Sequence, residues 1–134
     1  MQLRIPGPTP CPEEVLRAQS KQMINHRGKE FSVIIRKVTE QLKRCFQTKG
    51  DVLVLTGSGT GGLEAAVVNT LSPGDRVLCV SIGYFGDRFA DIAKAYGADV
   101  KPLSFDWGLP ADPDAVRQAL KDDAAIKVVM VTHN

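Results

Sequence analysis

DVLVLTGSGTGGLEAAVVNTL, residues 51–71, decides the fold of this 134-residue chain. The apolar run at 52–55 predicts a strand, and the segment rich in alanine and valine at 63–71 predicts a buried helix. The turn between them holds four glycines in six residues, from Gly57 to Gly62. Because glycine has no Cβ, a ligand can approach its backbone closely. The free N–H groups at the start of the helix favour a negative charge, so the turn predicts a phosphate or carboxylate site.

The sequence after this stretch alternates between strand and helix patterns. Apolar strand patterns occur at 76–81, 99–104 and 127–132, and helix patterns lie between them. This alternation predicts a doubly wound, mostly parallel α/β sheet with flanking helices. Ligands of such sheets bind at the carboxyl ends of the strands. We therefore expect the glycine turn and the loop around Phe85 to share one edge of the sheet.

The first 50 residues follow a different pattern. Residues 1–12 hold four of the eight prolines, which predicts an irregular, extended arm. A short helix is expected from Pro12 to about Met23. From Lys29 to Gln47, apolar residues recur every three or four positions and predict a long amphipathic helix. We divide the chain accordingly into an N-terminal arm with helices, 1–50, and the first part of an α/β domain, 51–134.

Composition excludes several classes of partner. A formal net charge of +2 gives no case for nucleic acid, and no apolar run approaches the length of a membrane span. The three cysteines form no CxxC pair, which favours free thiols in a reducing cytoplasm. His26 and His133 are isolated histidines, so we expect no metal site.

The end of the sequence has a strand pattern, residues 128–134, with no turn or helix after it. Domains rarely end where a buried strand emerges. We therefore expect the chain to be the N-terminal piece of a longer protein, truncated at Asn134.

Three kinds of anionic ligand fit a glycine-rich turn. Gly57, Gly59 and Gly62 match the GxGxxG pattern of dinucleotide-binding domains, but the strand at 76–81 ends in Ser81-Ile82-Gly83, without the acid that such domains place there to bind a ribose. A P-loop is excluded because no Lys-Ser or Lys-Thr follows the last glycine. The remaining ligand is a single phosphate, with an aromatic ring nearby to cover a planar cofactor.

A longer string of motifs, in a specific order, carries a family resemblance. Its members are Pro6-Gly7-Pro8-Thr9, His26-Arg27, Glu30-Phe31, Phe46-Gln47-Thr48, Thr56-Gly57-Ser58-Gly59-Thr60-Gly61, Glu64-Ala65-Ala66, Asn69, Ser72-Pro73-Gly74-Asp75, Val80-Ser81 and Gly83-x-Phe85-Gly86-x-Arg88. This string resembles the N-terminal third of class V aminotransferases, in the alanine–glyoxylate and serine–pyruvate aminotransferase branch.

The resemblance implies the large domain of a fold type I, pyridoxal-phosphate-dependent homodimer. Such an enzyme moves an amino group from a small amino acid (alanine, serine or similar) to an oxo-acid (glyoxylate or pyruvate). By resemblance, Ser58, Gly59 and Thr60 would meet the cofactor phosphate, and Phe85 would stack on the pyridine ring. The arm with Pro8 and Thr9 would line the substrate pocket, and the N-terminal helices would contribute to the dimer contact.

The family's catalytic groups are absent from these 134 residues. In the family, the Schiff-base lysine, the aspartate that pairs with the pyridine nitrogen and the arginine that binds the substrate carboxylate all lie further downstream. We therefore predict no catalytic residue within the chain, and no transamination by the chain alone. The alternatives left open are a non-catalytic α/β dimerisation or anion-binding module and a dinucleotide-binding domain.

Overall fold

Three six-residue segments rich in apolar side chains form one parallel sheet in this computed structural model, which describes residues 3, 5 and 7–133. The strands are β1 (Arg76–Ser81), β2 (Asp99–Ser104) and β3 (Ile126–Val131). Their order is β2–β1–β3, and both pairs are parallel. The strands predicted at these three places are confirmed, although β3 begins and ends one residue earlier than expected.

Five α-helices lie within the described residues. They are α1 (Glu13–Gln19), α2 (Lys29–Cys45), α3 (Gly59–Thr70), α4 (Tyr84–Ala95) and α5 (Pro113–Asp122). Residues 1–56 form one compact unit with α1 and α2, and residues 57–134 form a second unit with the sheet and the other helices. The long amphipathic helix expected from Lys29 is α2. The boundary expected after residue 50 stays a prediction.

The crossovers between strands give the doubly wound arrangement. The chain runs from β1 through α4 to β2, and then through α5 to β3 on the other side of β1. Because such crossovers are right-handed, this reversal of direction places α4 and α5 on opposite faces of the sheet. The predicted α/β fold with a parallel sheet and flanking helices is confirmed. The point of reversal lies at the carboxyl ends of β1 and β3, where sheets of this order bind their ligands.

The core is built around β1. Its Val77 and Cys79 are buried with Val67 of α3 and Phe89 of α4. Leu78 is also fully buried and, because side chains alternate along a strand, points to the opposite face. A strand buried on both faces carries a continuous apolar run, which is what the sequence Val77 to Val80 shows.

The predicted strand at 52–55 is wrong for the described residues. This segment has no regular secondary structure, and Leu53 and Leu55 are 81% and 76% exposed. A strand requires a neighbour to hydrogen-bond with, and within the described sheet β2 and β3 pair only with β1. The apolar composition indicates a strand but does not supply its partner.

The helix predicted at 63–71 forms, as part of α3, but it is less buried than expected. Only Val67 is buried in α3, and Val68 is 46% exposed. Apolar side chains lie on more than one side of the segment, between the polar residues Glu64, Asn69 and Thr70, whereas the described chain covers only the side that faces α4 and the sheet. Composition alone therefore overestimates the burial of this helix.

Gly86 is the point of closest approach between α4 and the sheet. A Cβ at this position would lie 2.8 Å from Cα and 2.9 Å from Cβ of Ser81. These atoms belong to the last residue of the central strand and have no room to move. Glycine is therefore required here for packing, since a side chain would push the first turn of α4 away from β1.

We expect Gly86→Ala to lower the free energy of unfolding by about 1–3 kcal/mol, the usual cost of overpacking. Gly62→Ala is the matched control, because a Cβ at that helical position meets nothing within 4 Å. Urea unfolding of the chain measures both variants. Equal stabilities of the two variants would contradict the close packing of α4 on Ser81.

Ion pairs connect the amino ends of the three strands. The Arg76 guanidinium lies 2.6 Å from the Asp99 carboxylate and 3.1 Å from Asp123, which immediately precedes the loop into β3. Lys127 of β3 binds Asp75 at 2.5 Å. Partial burial raises the pKa of Asp123, but the Ala125 amide, Arg76 and Lys101 lower that pKa more, so it lies below its usual value. The folded chain thus favours the ionised carboxylate of Asp123.

Asp123→Asn should destabilise the chain at neutral pH, by an amount that shrinks as the pH falls. A carboxylate whose folded pKa lies below its unfolded pKa, about 4, contributes fully above the unfolded value. That contribution is lost as the pH falls through the folded pKa. Urea unfolding over a pH series measures the difference, with Asp106→Asn as the exposed control. A difference independent of pH would contradict the role of the carboxylate charge.

Candidate functional site

The N-terminus of α3 presents two free amide groups. Ser58 is the N-cap residue, and its Oγ accepts a hydrogen bond from the Gly61 amide at 3.1 Å. Serine is favoured there because its short side chain reaches the first helical turn. The Gly62 amide bonds to the Ser58 carbonyl at 3.1 Å. The amides of Gly59 and Thr60 have no acceptor within the described residues, so they can bind an anion at the positive end of the helix.

The folded chain itself does not explain the glycines of this turn. A Cβ at Gly57, Gly59 or Gly62 would meet nothing within 4 Å, and none of them has a positive φ. Neither packing nor backbone conformation in the described structure requires glycine there. The remaining physical reason for glycine is that a backbone without side chains lets a ligand approach the amides closely.

The N-terminus of α4 presents an aromatic ring. Phe85 lies in the first turn, partly buried, and its ring meets that of Tyr84 edge to face with centroids 5.3 Å apart. Tyr84 is 58% exposed. An aromatic face next to solvent at a helix start suits a planar ligand that needs one face covered.

Both helix N-termini lie at the same edge of the sheet. The segment after α3 and the segment after α4 meet at the amino edge, where the Gly74 amide donates to the Gly97 carbonyl at 2.7 Å. The two helices also pack against each other, and each has 12 residues. They therefore run side by side in the same direction and start at the opposite, carboxyl edge. This places the Gly59 and Thr60 amides and the Phe85 ring along one edge, as expected from the sequence.

Three polar residues to which the sequence analysis gives no role also lie at this edge. The Ser81 hydroxyl, at the end of β1, is 2.6 Å from Oδ1 of Asp87 in α4. Ser81 is only 4% exposed. The sequence signal for this contact is a serine that ends an apolar strand and is followed five residues later by a glycine. The neighbouring strand β3 leads into Thr132, whose Oγ1 is buried without a hydrogen-bond partner among the described residues.

Two other candidate residues belong to the first unit. Pro8 and Thr9 are exposed and without regular secondary structure in the first unit. Within the described part of the chain, no cluster of three or more His, Cys, Asp or Glu side chains could hold a metal ion. Burial raises the pKa of the Cys79 thiol to about 11, so this thiol stays protonated at neutral pH and serves the core. No helix among the described residues combines the length and the apolar character that a membrane crossing requires.

Comparisons with known proteins find relatives that match nearly the whole chain. The soluble hydrogenase 42 kDa subunit of Anabaena cylindrica is 47% identical over 136 residues, covering 100% of this chain and 36% of that protein. The serine–glyoxylate aminotransferase of Methylorubrum extorquens is 38% identical over 135 residues, covering 98% of this chain and 34% of that protein. The chain thus spans about a third of the length of these relatives.

A solved structure shares the fold and the same third of the sequence. The pyridoxamine–pyruvate aminotransferase of Mesorhizobium loti superposes with a TM-score of 0.86 at 30% identity, over 95% of this chain and 32% of that one. The family model described as aminotransferase class-V matches residues 3–134. The resemblance read from the ordered motifs is therefore confirmed, and this chain belongs to the class-V aminotransferase family.

Proposed function

We propose that the whole protein is a pyridoxal-phosphate-dependent aminotransferase, and that residues 57–133 supply part of its cofactor site. The observation that carries the proposal is the edge shared by the free amides of Gly59 and Thr60 and the ring of Phe85. Pyridoxal phosphate combines a dianionic phosphate with a flat ring. A pair of amide donors and an aromatic face are the two features that such a molecule needs.

The residues present fit this cofactor. The open backbone at Gly57 and Gly59 leaves space where a side chain would stand, so the phosphate can reach the amides. The Gly59 and Thr60 N–H groups would donate to phosphate oxygens, and the Thr60 hydroxyl extends the same turn. Ser58 would cap the helix, because its Oγ accepts a hydrogen bond from the Gly61 amide, and its hydroxyl proton would remain free to donate to a phosphate oxygen. Phe85 would cover one ring face and exclude water from it.

Bound pyridoxal phosphate supplies the electron sink for chemistry at the α-carbon of an amino acid. The chain's own residues bind and orient this cofactor and take no proton from the substrate. The lysine that anchors the cofactor would lie beyond residue 134, as the family resemblance implies. The 134 residues alone would then have no transaminase activity.

The amino acids and oxo-acids involved follow from the family branch. The Methylorubrum relative is named for serine and glyoxylate, which supports a small amino donor and glyoxylate or pyruvate as acceptor. Pro8 and Thr9 would line the substrate pocket. We further propose that the whole protein is a cytoplasmic homodimer, in which the N-terminal helices contribute to the contact between subunits.

The name of the Anabaena relative indicates a different class of activity, a hydrogenase. The site described here gives no reason to carry that name over. Amide donors at a glycine turn and an aromatic platform are binding features for a phosphate-bearing ring, and they explain the open glycines that folding leaves unexplained. Binding of pyridoxal phosphate is therefore the role that these residues support best, and the class-V aminotransferase family supports transamination as the reaction of the whole protein.

The whole protein, purified as expressed, should show the visible absorbance of bound pyridoxal phosphate. Borohydride reduction should fix the cofactor covalently to one lysine, because the bond between cofactor and lysine is reducible. Peptide mapping should place that lysine outside residues 1–134. Absence of the chromophore would refute the proposal. Labelling of one of the nine lysines within the chain would refute the assignment of the anchoring lysine to a position outside residues 1–134.

Ser58→Ala should weaken retention of the cofactor more than its effect on folding explains. Loss of the cap costs about 1 kcal/mol of stability and frays the turn that presents the Gly59 and Thr60 amides. Asp112→Ala is the matched control, since Asp112 caps α5 through the Asp114 amide at 2.9 Å. Both variants should lose similar stability, but only Ser58→Ala should release pyridoxal phosphate on dialysis. Equal release from both would contradict a phosphate site at α3.

A further inference from the structure

The contact between the end of β1 and the first turn of α4 is the most constrained part of the carboxyl edge. Ser81 is the one buried polar residue in the described part of the chain, at 4% exposure. Its Oγ lies 2.6 Å from Oδ1 of Asp87 and 3.0 Å from the Gly83 carbonyl, and it lies 3.4 Å from the Gly83 amide. One hydroxyl thus contacts both ends of the segment 83–87.

The single proton of the hydroxyl decides which contact is strongest. A serine has one O–H donor, so it cannot donate to both the Gly83 carbonyl and Asp87. The distance to Asp87 is the shorter one, and a carboxylate acceptor makes a stronger bond than a neutral carbonyl. Ser81 therefore donates to Asp87. The Gly83 amide donates to the same Oγ, which acts as the acceptor of that longer bond.

Phe85 lies inside the segment that this hydroxyl holds. Gly83 precedes the ring by two residues, and Asp87 follows it by two. Between them, Gly86 rests directly on Ser81, where a Cβ would come within 2.6 Å of the serine Oγ. The first turn of α4 thus packs closely on the end of β1 at Gly86, and the Ser81 hydroxyl hydrogen-bonds to the same turn. Within the described chain, the Phe85 ring meets one other ring, that of the exposed Tyr84.

We propose that Ser81 and Asp87 are positioning residues that fix the Phe85 ring against the cofactor. We call the Ser81–Asp87 hydrogen bond, together with the contact of Gly86 on Ser81, the Ser81 latch. The latch touches neither the cofactor nor the substrate and acts through Phe85 alone. This inference rests on the proposed function and adds to it the contacts that orient the stacking ring.

The chemistry of the latch predicts how its variants differ. Ser81→Ala and Asp87→Ala each remove the bond and leave the first turn of α4 free to tilt. Asp87→Asn keeps an oxygen acceptor for the hydroxyl and should restore most of the binding. Asp91→Ala is the control, because Asp91 lies one turn further along α4, is exposed, and its side chain makes no hydrogen bond or ion pair with the described residues.

The first measurement is the affinity of the whole protein for pyridoxal phosphate. Ser81→Ala should weaken it about tenfold, as expected for loss of a hydrogen bond to a charged group. In a Phe85→Leu background the same substitution should have almost no further effect, because the ring that the latch orients is gone. A double-mutant cycle of Ser81→Ala with Phe85→Leu isolates this coupling. A residue that only stabilises the fold would give additive losses.

The second measurement needs no cofactor. In the 134-residue chain, nuclear Overhauser contacts from the Phe85 ring to protons outside the first turn of α4 report the orientation of that turn. Ser81→Ala should weaken these contacts, while Asp91→Ala should leave them unchanged.

The outcomes separate the inference from the proposed function. Non-additive affinities together with altered ring contacts support the latch. The wild type could bind the cofactor while the affinity losses in the double-mutant cycle are additive, or while the ring contacts in Ser81→Ala are unchanged. Either result overturns the latch and leaves the proposed function standing. A wild-type protein that binds no pyridoxal phosphate overturns the proposed function and, with it, the role of the latch.

Discussion

The burial of β1 between two neighbouring strands is the constraint on which the other features depend. β1 hydrogen-bonds to β2 on one side and β3 on the other, and its residues Val77 to Ser81 are all buried. Because both faces and both edges are covered, the carboxyl end of this strand is a rigid support. α4 starts three residues after it, pressed against Ser81 through Gly86. The central strand thus fixes the position of the first turn of α4, which carries the Phe85 ring.

The two edges of the sheet have different electrostatic characters. The amino edge carries the ion pairs of Arg76 with Asp99 and Asp123 and of Lys127 with Asp75. The carboxyl edge carries the N-terminus of α3, with no acidic residue in its first turn. The positive end of that helix is therefore not neutralised by its own side chains. The carboxylates of Asp75, Asp99 and Asp123 therefore lie away from the Gly59 and Thr60 amides. Asp87, in the first turn of α4, accepts a hydrogen bond from Ser81.

Local patterns could be predicted from the sequence because their causes are local. Ser58 and Asp112 cap α3 and α5 through side chains that reach one turn ahead, and the limits of β1 and β2 follow from apolar runs bounded by turns. The segment at 52–55 was misread because a strand also requires a partner distant in sequence. The Ser81–Asp87 bond was missed for a related reason. The sequence shows a serine at the strand end and a glycine five residues later, but only the fold shows that Gly86 brings the Ser81 and Asp87 side chains within reach of each other.

A structure of the whole protein with pyridoxal phosphate tests the central claim most directly. The distances to measure run from the phosphate oxygens to the backbone nitrogens of Gly59 and Thr60. The account predicts hydrogen-bond distances of about 2.7–3.2 Å for both nitrogens, with the Phe85 ring stacked on the pyridine. A phosphate held by other groups, with the N-terminus of α3 open to solvent, would contradict the account.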